Sequence, residues 1–216
     1  MSTLTKLALG MMGQLRPKPA QGDSANSIAL PPADKHGGLP LMEALARRHS
    51  SRDFARDALP LPLLSGLLWA AYGVNRVDGG RTAPSALNAQ EIDVFVALPL
   101  GAYRYDAERH ELCLVAASDL RRVTGYQDFV DDAPLDLVYV ADHARMSRVP
   151  VGQRASYASV AAGAIAQNVY LFSASNGLAT VIRAWIDRDA IANALGLTHD
   201  QQVLLSQTVG YPKAVP

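Results

Sequence analysis

The sequence predicts an α+β domain, and three patterns along the chain support this fold class. Helix-like and strand-like segments follow one another without a regular βαβ rhythm. Two strand-like segments, residues 102–105 and 112–115, flank a polar turn, which indicates a hairpin and therefore antiparallel pairing. Residues 155–176 form a long helical segment rich in Ala, Gly and Ser, and such small side chains let a neighbouring element approach closely. We therefore expect this helix to be central.

The other helices are predicted from apolar periodicity and from the signals at their ends. Pro62 suits the first turn of one helix and Gly73 its end. Gly177 and Gly196 end two later helices, while Asp187 supplies an N-terminal cap. The predicted helices cover residues 41–48, 63–72, a short segment from 118 to 125, 155–176 and 187–195.

Short apolar runs between these helices predict the strands. They cover residues 92–98, 102–105, 112–115, 135–141, 178–186 and 203–209. Residues 1–38 differ, because Pro, Gly and Ser are frequent there and apolar periodicity is weak. We expect an N-terminal arm or linker over 1–38 and a compact domain over 39–216.

The composition excludes several classes of protein. The 216 residues are 49% hydrophobic, which is ample for a core, and Lys+Arg and Asp+Glu number 20 each. A formal net charge of zero argues against nucleic acid or an acidic membrane as the main partner. The single Cys113 excludes an intrachain disulfide, and the five His show no metal-ligand spacing. We expect no metal site.

The N-terminal residues predict a cytoplasmic protein, with export as the alternative. Lys6 precedes the apolar run 7–12, which is at the lower length limit for a signal peptide and is followed by no clear small-residue cleavage site. No apolar stretch approaches the length that spans a bilayer.

The segment Arg47–Arg52 carries three arginines, a histidine and two serines in six consecutive residues. Guanidinium and hydroxyl donors match the geometry of a phosphate, provided that the chain turns here from helix to extended backbone. The same segment also suits a basic helix end whose arginines complement the helix dipole. Taken alone, the segment favours the two interpretations equally.

A second polar loop, residues 81–90, precedes the predicted strand 92–98. Its Asn and Gln side chains each offer a donor and an acceptor, which suits the edge of a heteroaromatic ring, although they could equally cap the strand entrance in a turn. The chain lacks the glycine-rich G-x-G-x-x-G and G-x-x-x-x-G-K-[ST] loops and a G-x-S-x-G nucleophile turn. Together, the two segments are what a phosphorylated aromatic cofactor requires.

Several motifs in order resemble the nitroreductase family of flavin oxidoreductases. Ala46–Phe54 resembles the family's first motif, and Pro84–Gln90 is similar to its second, P-S-x-x-N-x-Q. The hairpin at residues 101–106 is similar to the subgroup that includes the azoline-oxidising dehydrogenases. Residues 167–170, 177–187 and 210–212 follow in the family's order, so that the resemblance covers about residues 39–212.

The resemblance implies an FMN enzyme with a central, mostly antiparallel sheet flanked by helices. It also implies an intertwined homodimer with the long helix at the interface and two shared flavins. The residues that would hold the phosphate, ribityl chain and pyrimidine edge are Arg48, His49, Ser50 and Arg52. Those that would approach the same flavin from the partner subunit are Pro84, Ser85, Ala86, Asn88 and Gln90. A backbone N–H from residues 182–185 would point at flavin N5.

The chain departs from the family pattern at two places. Many members have a Glu-Gly pair where this chain has Ala184 and Trp185, and Trp185 would stack on the isoalloxazine or serve as a core or interface aromatic. The family often binds phosphate with a basic pair after the last strand, but only Lys213 is present. Arg183 would reach the phosphate or lie on a sheet edge.

The leading functional hypothesis is therefore ping-pong hydride transfer between NAD(P)H and a small organic acceptor such as a nitroaromatic or a quinone. No side chain is nominated as catalytic, since the cofactor supplies the chemistry. An FMN-dependent dehydrogenase of azolines or other unsaturated substrates is the alternative within the same fold. A non-catalytic flavin carrier or sensor, or a scaffold that has lost the cofactor, are alternatives from other classes.

Overall fold

Nine β-strands are present among residues 1–213, the part of the chain that the computed structural model describes. They are β1 (Lys18–Pro19), β2 (Ser27–Ala29), β3 (Ile92–Leu98), β4 (Gly101–Asp106), β5 (Glu111–Ala116), β6 (Ser118–Asp119), β7 (Leu135–Asp142), β8 (Ala179–Arg183) and β9 (Gln201–Gly210). Seven form one sheet in the order β2-β5-β4-β3-β7-β9-β8, and every neighbouring pair is antiparallel. β1 and β6 form a separate ribbon. The predicted α+β class is confirmed.

Five α-helices accompany these strands in the described part of the chain. They are α1 (Thr3–Met11), α2 (Leu41–Arg47), α3 (Leu61–Tyr72), α4 (Val151–Ser175) and α5 (Arg188–Leu195). α3 has Pro62 in its first turn and ends at Gly73, and Asp187 caps α5 by accepting a hydrogen bond from the Ala190 N–H, as predicted. Across residues 1–213, every helix is too short or too polar to cross a membrane.

The sheet lies between two helical layers. Along β3, Val94 and Val96 pack into the cluster that contains α3 and α4, whereas Phe95 and Ala97 pack into the cluster on the opposite face. This alternation follows from the two-residue period of a strand. The opposite face is covered by α5, by the residues after β6 and by the end of α1. The core is therefore a three-layer arrangement built on one sheet.

Three local features differ from the sequence prediction. The N-terminal arm contains α1, and β2 extends the edge of the main sheet. The predicted short helix at 118–125 is β6 followed by a 3₁₀ turn at Arg121–Thr124. The Asp119 carboxylate accepts from the Arg121 N–H and binds its guanidinium through two hydrogen bonds. The strand predicted over 178–186 ends at Arg183.

The long helix α4 is half buried. Its core face carries Ala158, Ala162, Ile165 and Val169, all buried, in agreement with the predicted central packing of small residues. The opposite face is exposed over most of its length, and Val160 there keeps 72% of its surface accessible. Arg154 is the single charged residue in the 25-residue helix. The exposed face is thus weakly polar.

Candidate functional site

The arginine segment turns from helix to extended backbone, the condition under which its donors can converge. Arg48 follows the last residue of α2, and His49 is exposed with its Nδ1 2.8 Å from the Arg47 carbonyl oxygen. From there the chain runs beside the edge strand β8, where the Ser51 N–H donates to the Thr180 carbonyl at 3.0 Å. The segment therefore lies along the outer edge of the sheet.

Tyr170 of α4 holds this segment in place. Its hydroxyl lies 2.8 Å from Ser50 Oγ and accepts a hydrogen bond of 3.0 Å from the Ile182 N–H. The Arg48 guanidinium lies over the Tyr170 ring, 5.2 Å from its centroid. Tyr170 is buried, and its hydroxyl joins the arginine segment to β8.

Cations collect at this edge without acidic partners. Arg47 points back to Glu43 on α2 at 2.5 Å. Within residues 1–213, by contrast, Arg48, Arg52 and Lys213 form no ion pair with a carboxylate. Lys213 lies beside the arginine segment because its N–H donates to the Asp53 carbonyl at 3.1 Å. Cationic side chains without a carboxylate partner suit a bound anion.

The second loop is held by hydrogen bonds of its own side chains and has a strained backbone. Leu87, Asn88 and Gln90 have φ angles of 54°, 52° and 50°, a left-handed conformation that non-glycine residues rarely adopt. The Gln90 side chain accepts from Arg81 Nε at 2.9 Å and donates to the Gly79 carbonyl at 3.0 Å. Strain of this kind is typical of functional sites when surrounding contacts maintain it.

The predicted residues of this loop divide into two groups. Ser85 accepts a hydrogen bond of 2.9 Å from the Gln90 N–H, so these two side chains shape the loop. Pro84 and Asn88 are exposed, and Ala86 is partly exposed. The turn-forming interpretation therefore describes Ser85 and Gln90. The other three predicted residues, Pro84, Ala86 and Asn88, are exposed or partly exposed on the loop.

The two segments contact different sides of α4 in one chain. The Asn168 amide donates to the Thr82 carbonyl at the start of the second loop, 3.3 Å away, while Tyr170 contacts the arginine segment. Residues two positions apart lie about 200° apart around a helix axis. Among residues 1–213, no side-chain hydrogen bond or ion pair joins Arg47–Arg52 to Pro84–Gln90. Within a single chain, the arginine segment and the second loop therefore do not form one site.

Arg183 does not take the phosphate-facing position that was one of its two predicted roles. Its guanidinium is buried and donates to Asp136 at 2.5 Å, to Thr208 Oγ1 at 2.7 Å and to the Thr124 carbonyl at 2.6 Å. Asp136 is fully buried, and a buried carboxylate requires a paired cation, which fixes the arginine inward. The residue lies on the edge strand β8, the other predicted position.

The two residues after Arg183 are open to solvent. Ala184 is exposed and Trp185 keeps 47% of its surface accessible. Along this sheet edge the Ile182 N–H is bonded to the Tyr170 hydroxyl. The Ala184 N–H, two residues further on, donates to no residue within 1–213. An unsatisfied backbone donor therefore lies beside the exposed tryptophan.

A cavity of 700 Å³ lies elsewhere, between the arm, α3 and α4. Its lining is largely apolar and includes Leu63, Trp69 and Phe172. Thr82 and Asn168 at its rim lie next to the second loop, but none of the predicted site residues lines it. The cavity and the predicted site residues therefore occupy different parts of the chain.

Known proteins identify the family of this chain. The model of the nitroreductase family matches residues 45–211, which is most of the sequence. The chain belongs to the nitroreductase family. A nitroreductase-family protein of Methanocaldococcus jannaschii is 32% identical over 162 residues, covering 70% of this chain and 82% of that protein.

Solved structures of the nitroreductase fold extend this result. A crystal structure of a nitroreductase-family protein from Ralstonia eutropha is 51% identical, covers 93% of this chain and 96% of that one, and has a TM-score of 0.89. A match of this length includes part of the N-terminal arm, which precedes the family match. The Escherichia coli microcin synthetase complex is 18% identical, with a TM-score of 0.67 over 83% of this chain and 76% of that chain, which shows a shared fold.

The nitroreductase match contains the predicted site residues except Lys213, which follows it. Two tyrosines outside the predicted set contact its residues. Tyr170 supports the arginine segment through its hydroxyl, and Tyr126 packs against Trp185 with ring centroids 5.5 Å apart. Tyr170 lies in residues 167–170, which resemble a family motif, and this was the available sequence signal for it. Nothing in the local sequence marks Tyr126.

Proposed function

We propose that this nitroreductase-family protein is an FMN-dependent oxidoreductase that transfers hydride from NAD(P)H to a small organic acceptor in the cytoplasm. The observation that carries the proposal is the set of unpaired cations, Arg48, Arg52 and Lys213, beside an edge strand with an unsatisfied N–H. A phosphate matches the cations, and a flavin ring nitrogen matches the backbone donor. The family membership supports the same cofactor.

The described residues have the donor set that FMN requires. Arg48, Arg52 and Lys213 would bind the phosphate or the electron-rich pyrimidine edge, and Ser50 would contact the ribityl chain. The Ala184 N–H would donate to flavin N5. When bound, FMN would supply the redox chemistry, in which one NAD(P)H and one proton reduce one quinone to its hydroquinone. The chain itself positions the cofactor and supplies fixed positive charge.

We propose a homodimer in which the loop Pro84–Gln90 of a second copy completes the site. The arginine segment and this loop contact different sides of α4 within one chain, so they would meet only across two subunits. The exposed apolar residues Met42 on α2 and Val160 on α4 lie on faces that such a partner would cover. A shared interface of this kind buries the weakly polar face of α4.

The cofactor proposal is tested by absorbance of the purified protein in the flavin bands and by FMN titration of Arg48→Ala. Loss of a charge-assisted partner of phosphate should weaken FMN binding by about 10- to 100-fold. Arg47→Ala is the matched control, because Arg47 is engaged with Glu43, and its FMN affinity should stay within about twofold of the parent.

Equal FMN affinity in Arg48→Ala and the parent would exclude this placement of the anion. Colourless protein that does not take up added FMN would exclude the cofactor and favour a scaffold. Bound FMN that neither NADH nor NADPH bleaches would instead favour the carrier or sensor function.

An FMN-dependent dehydrogenase of azolines is the second candidate. The structural neighbour from the microcin synthetase complex, solved with truncated pro-MccB17 bound, shares the fold, and the β4–β5 hairpin carries the subgroup resemblance. This candidate predicts slow turnover with NAD(P)H and oxidation of an azoline peptide. Rapid reduction of a quinone by NAD(P)H would decide against it.

A further inference from the structure

The N-terminal helix α1, which precedes the family match, is bound at a defined position on the domain. Lys6 is fully buried, with Nζ 2.9 Å from Asp131 Oδ1 and donating to the Gln127 carbonyl at 3.0 Å. Thr3 Oγ1 donates to Asp128 Oδ1 at 2.7 Å. A lysine enters the interior only with such partners, so α1 is fixed to the segment 125–131.

Gly10 brings the last turn of α1 into contact with Tyr126. A Cβ atom at Gly10 would lie 2.6 Å from Tyr126 Cε1 and 2.8 Å from its hydroxyl oxygen. It would also lie 3.0 Å from Asp187 Oδ2, at the cap of α5. The backbone of α1 therefore forms the wall against which the tyrosine ring rests.

Tyr126 in turn contacts Trp185. The ring centroids are 5.5 Å apart, with the planes inclined at 55°. Trp185 lies three residues beyond Ile182, whose N–H is bonded to the Tyr170 hydroxyl that also contacts Ser50. The exposed tryptophan thus lies two residues beyond the end of β8, the strand that borders the proposed cofactor site, and the Tyr126 ring packs against it.

We propose that α1 is a positioning element of the active site: through Tyr126 it fixes Trp185 as an aromatic wall that selects planar aromatic acceptors. The inference rests on the proposed function and specifies its acceptor class. Stacking of a flat ring against tryptophan contributes about 0.5–1.5 kcal/mol, which corresponds to about a 2- to 12-fold difference in affinity. A non-planar inorganic acceptor gains nothing from this wall.

The test compares Gly10→Ala with Met11→Ala in the full-length protein. Alanine raises helix propensity at position 10 but displaces the Tyr126 ring, whereas Met11 is exposed on the same helix. With NADH or NADPH as donor, the KM for 2-methyl-1,4-naphthoquinone should rise about 3- to 10-fold in Gly10→Ala. kcat/KM for ferricyanide, two molecules of which accept one electron each, should change less than twofold. Met11→Ala should match the parent with both acceptors.

A double-mutant cycle separates positioning from a general structural effect. In a Trp185→Leu protein, Gly10→Ala should raise the quinone KM no further, because the element that α1 positions is absent. Additive effects of the two substitutions would overturn the proposal. An equal loss of activity with quinone and ferricyanide would also overturn it, as would an unchanged quinone KM in Gly10→Ala.

A spectroscopic readout keeps this inference distinct from the proposed function. In a Trp69→Phe protein, Trp185 is the remaining tryptophan, since the chain has two. Its emission should shift in Gly10→Ala and not in Met11→Ala, with or without FMN. Absence of FMN binding would defeat the proposed function; an unshifted emission maximum would defeat the positioning role of α1 by itself.

Discussion

His110 joins three parts of the chain through one side chain. Its Nε2 lies 2.7 Å from Ser65 Oγ on α3 and 3.1 Å from the Pro31 carbonyl in the arm, and its Nδ1 lies 2.9 Å from the Tyr105 hydroxyl on β4. The contact with the Pro31 carbonyl requires the proton on Nε2, and in the neutral ring Nδ1 then accepts from the tyrosine hydroxyl. Burial is the main cause that lowers the pKa of His110.

The lowered pKa of His110 predicts an acid-sensitive fold. The unfolded chain takes up a proton near the ordinary histidine pKa of about 6.5, whereas the folded protein does so at lower pH. The free energy of unfolding should therefore fall as pH decreases through 6.5 and level off below the folded pKa. Urea unfolding of the parent and of His110→Gln between pH 7.5 and 5 measures this, with a flatter profile expected for the variant. Parallel profiles would show that other groups cause the dependence.

Single residues could be predicted from the sequence where their chemistry is local. The cations of Arg47–Arg52 are consecutive, so their convergence depends only on how one segment leaves a helix. Arg183 and Lys6 are different, because the charges that bind them, Asp136 and Asp131, lie far away in sequence. A buried ion pair between distant residues has no local signature, and the role of these two residues emerges only from the packed structure.

The loop Pro84–Gln90 is an element whose shape depends on its own side chains. Three left-handed residues within four positions cost conformational energy, and the Gln90 hydrogen bonds offset part of it. The loop is therefore held in a conformation that its backbone does not favour. Such pre-organisation lowers the entropic cost of binding a ligand.

We predict that Gln90→Ala loosens this loop. The variant loses the partner of Arg81 Nε and of the Gly79 carbonyl, so the free energy of unfolding of the apoprotein should fall by about 1–2 kcal/mol. FMN affinity should decrease as well, since the loop must then be ordered on binding. Urea unfolding and FMN titration measure the two effects, and Gln21→Ala, at an exposed position in the arm, is the control. Unchanged FMN affinity would show that the loop does not contribute to the cofactor site.

The helices and strands of the core could be predicted because their apolar periodicity reflects burial on one sheet. The arm could not be predicted in this way. α1 is held by the buried Lys6 and by the close approach at Gly10, and β2 pairs only three residues with β5. Elements stabilised by such tertiary contacts carry little periodic signal of their own.

At the scale of the whole molecule, a single chain leaves several large apolar side chains of its helices exposed to solvent. Val151 and Val160 on α4 and Leu41 and Met42 on α2 are all more than half exposed. The two proposed halves of the cofactor site also contact different sides of α4. A two-fold symmetric dimer accounts for both observations, because each copy would cover the other's helices and complete the other's site.

The proposed dimer predicts that Val160→Glu abolishes assembly and cofactor binding together. Two copies of the carboxylate would be buried without a partner cation, and each such charge costs about 3–5 kcal/mol, enough to shift the dimer dissociation constant by more than 100-fold. Val115→Glu on β5 is the control, since it adds the same charge to a partly exposed strand. Light scattering after size-exclusion chromatography gives the mass, and FMN absorbance in the same peak gives occupancy. A monomeric Val160→Glu protein that keeps its FMN would contradict a site shared between subunits, because one chain would then suffice to hold the cofactor.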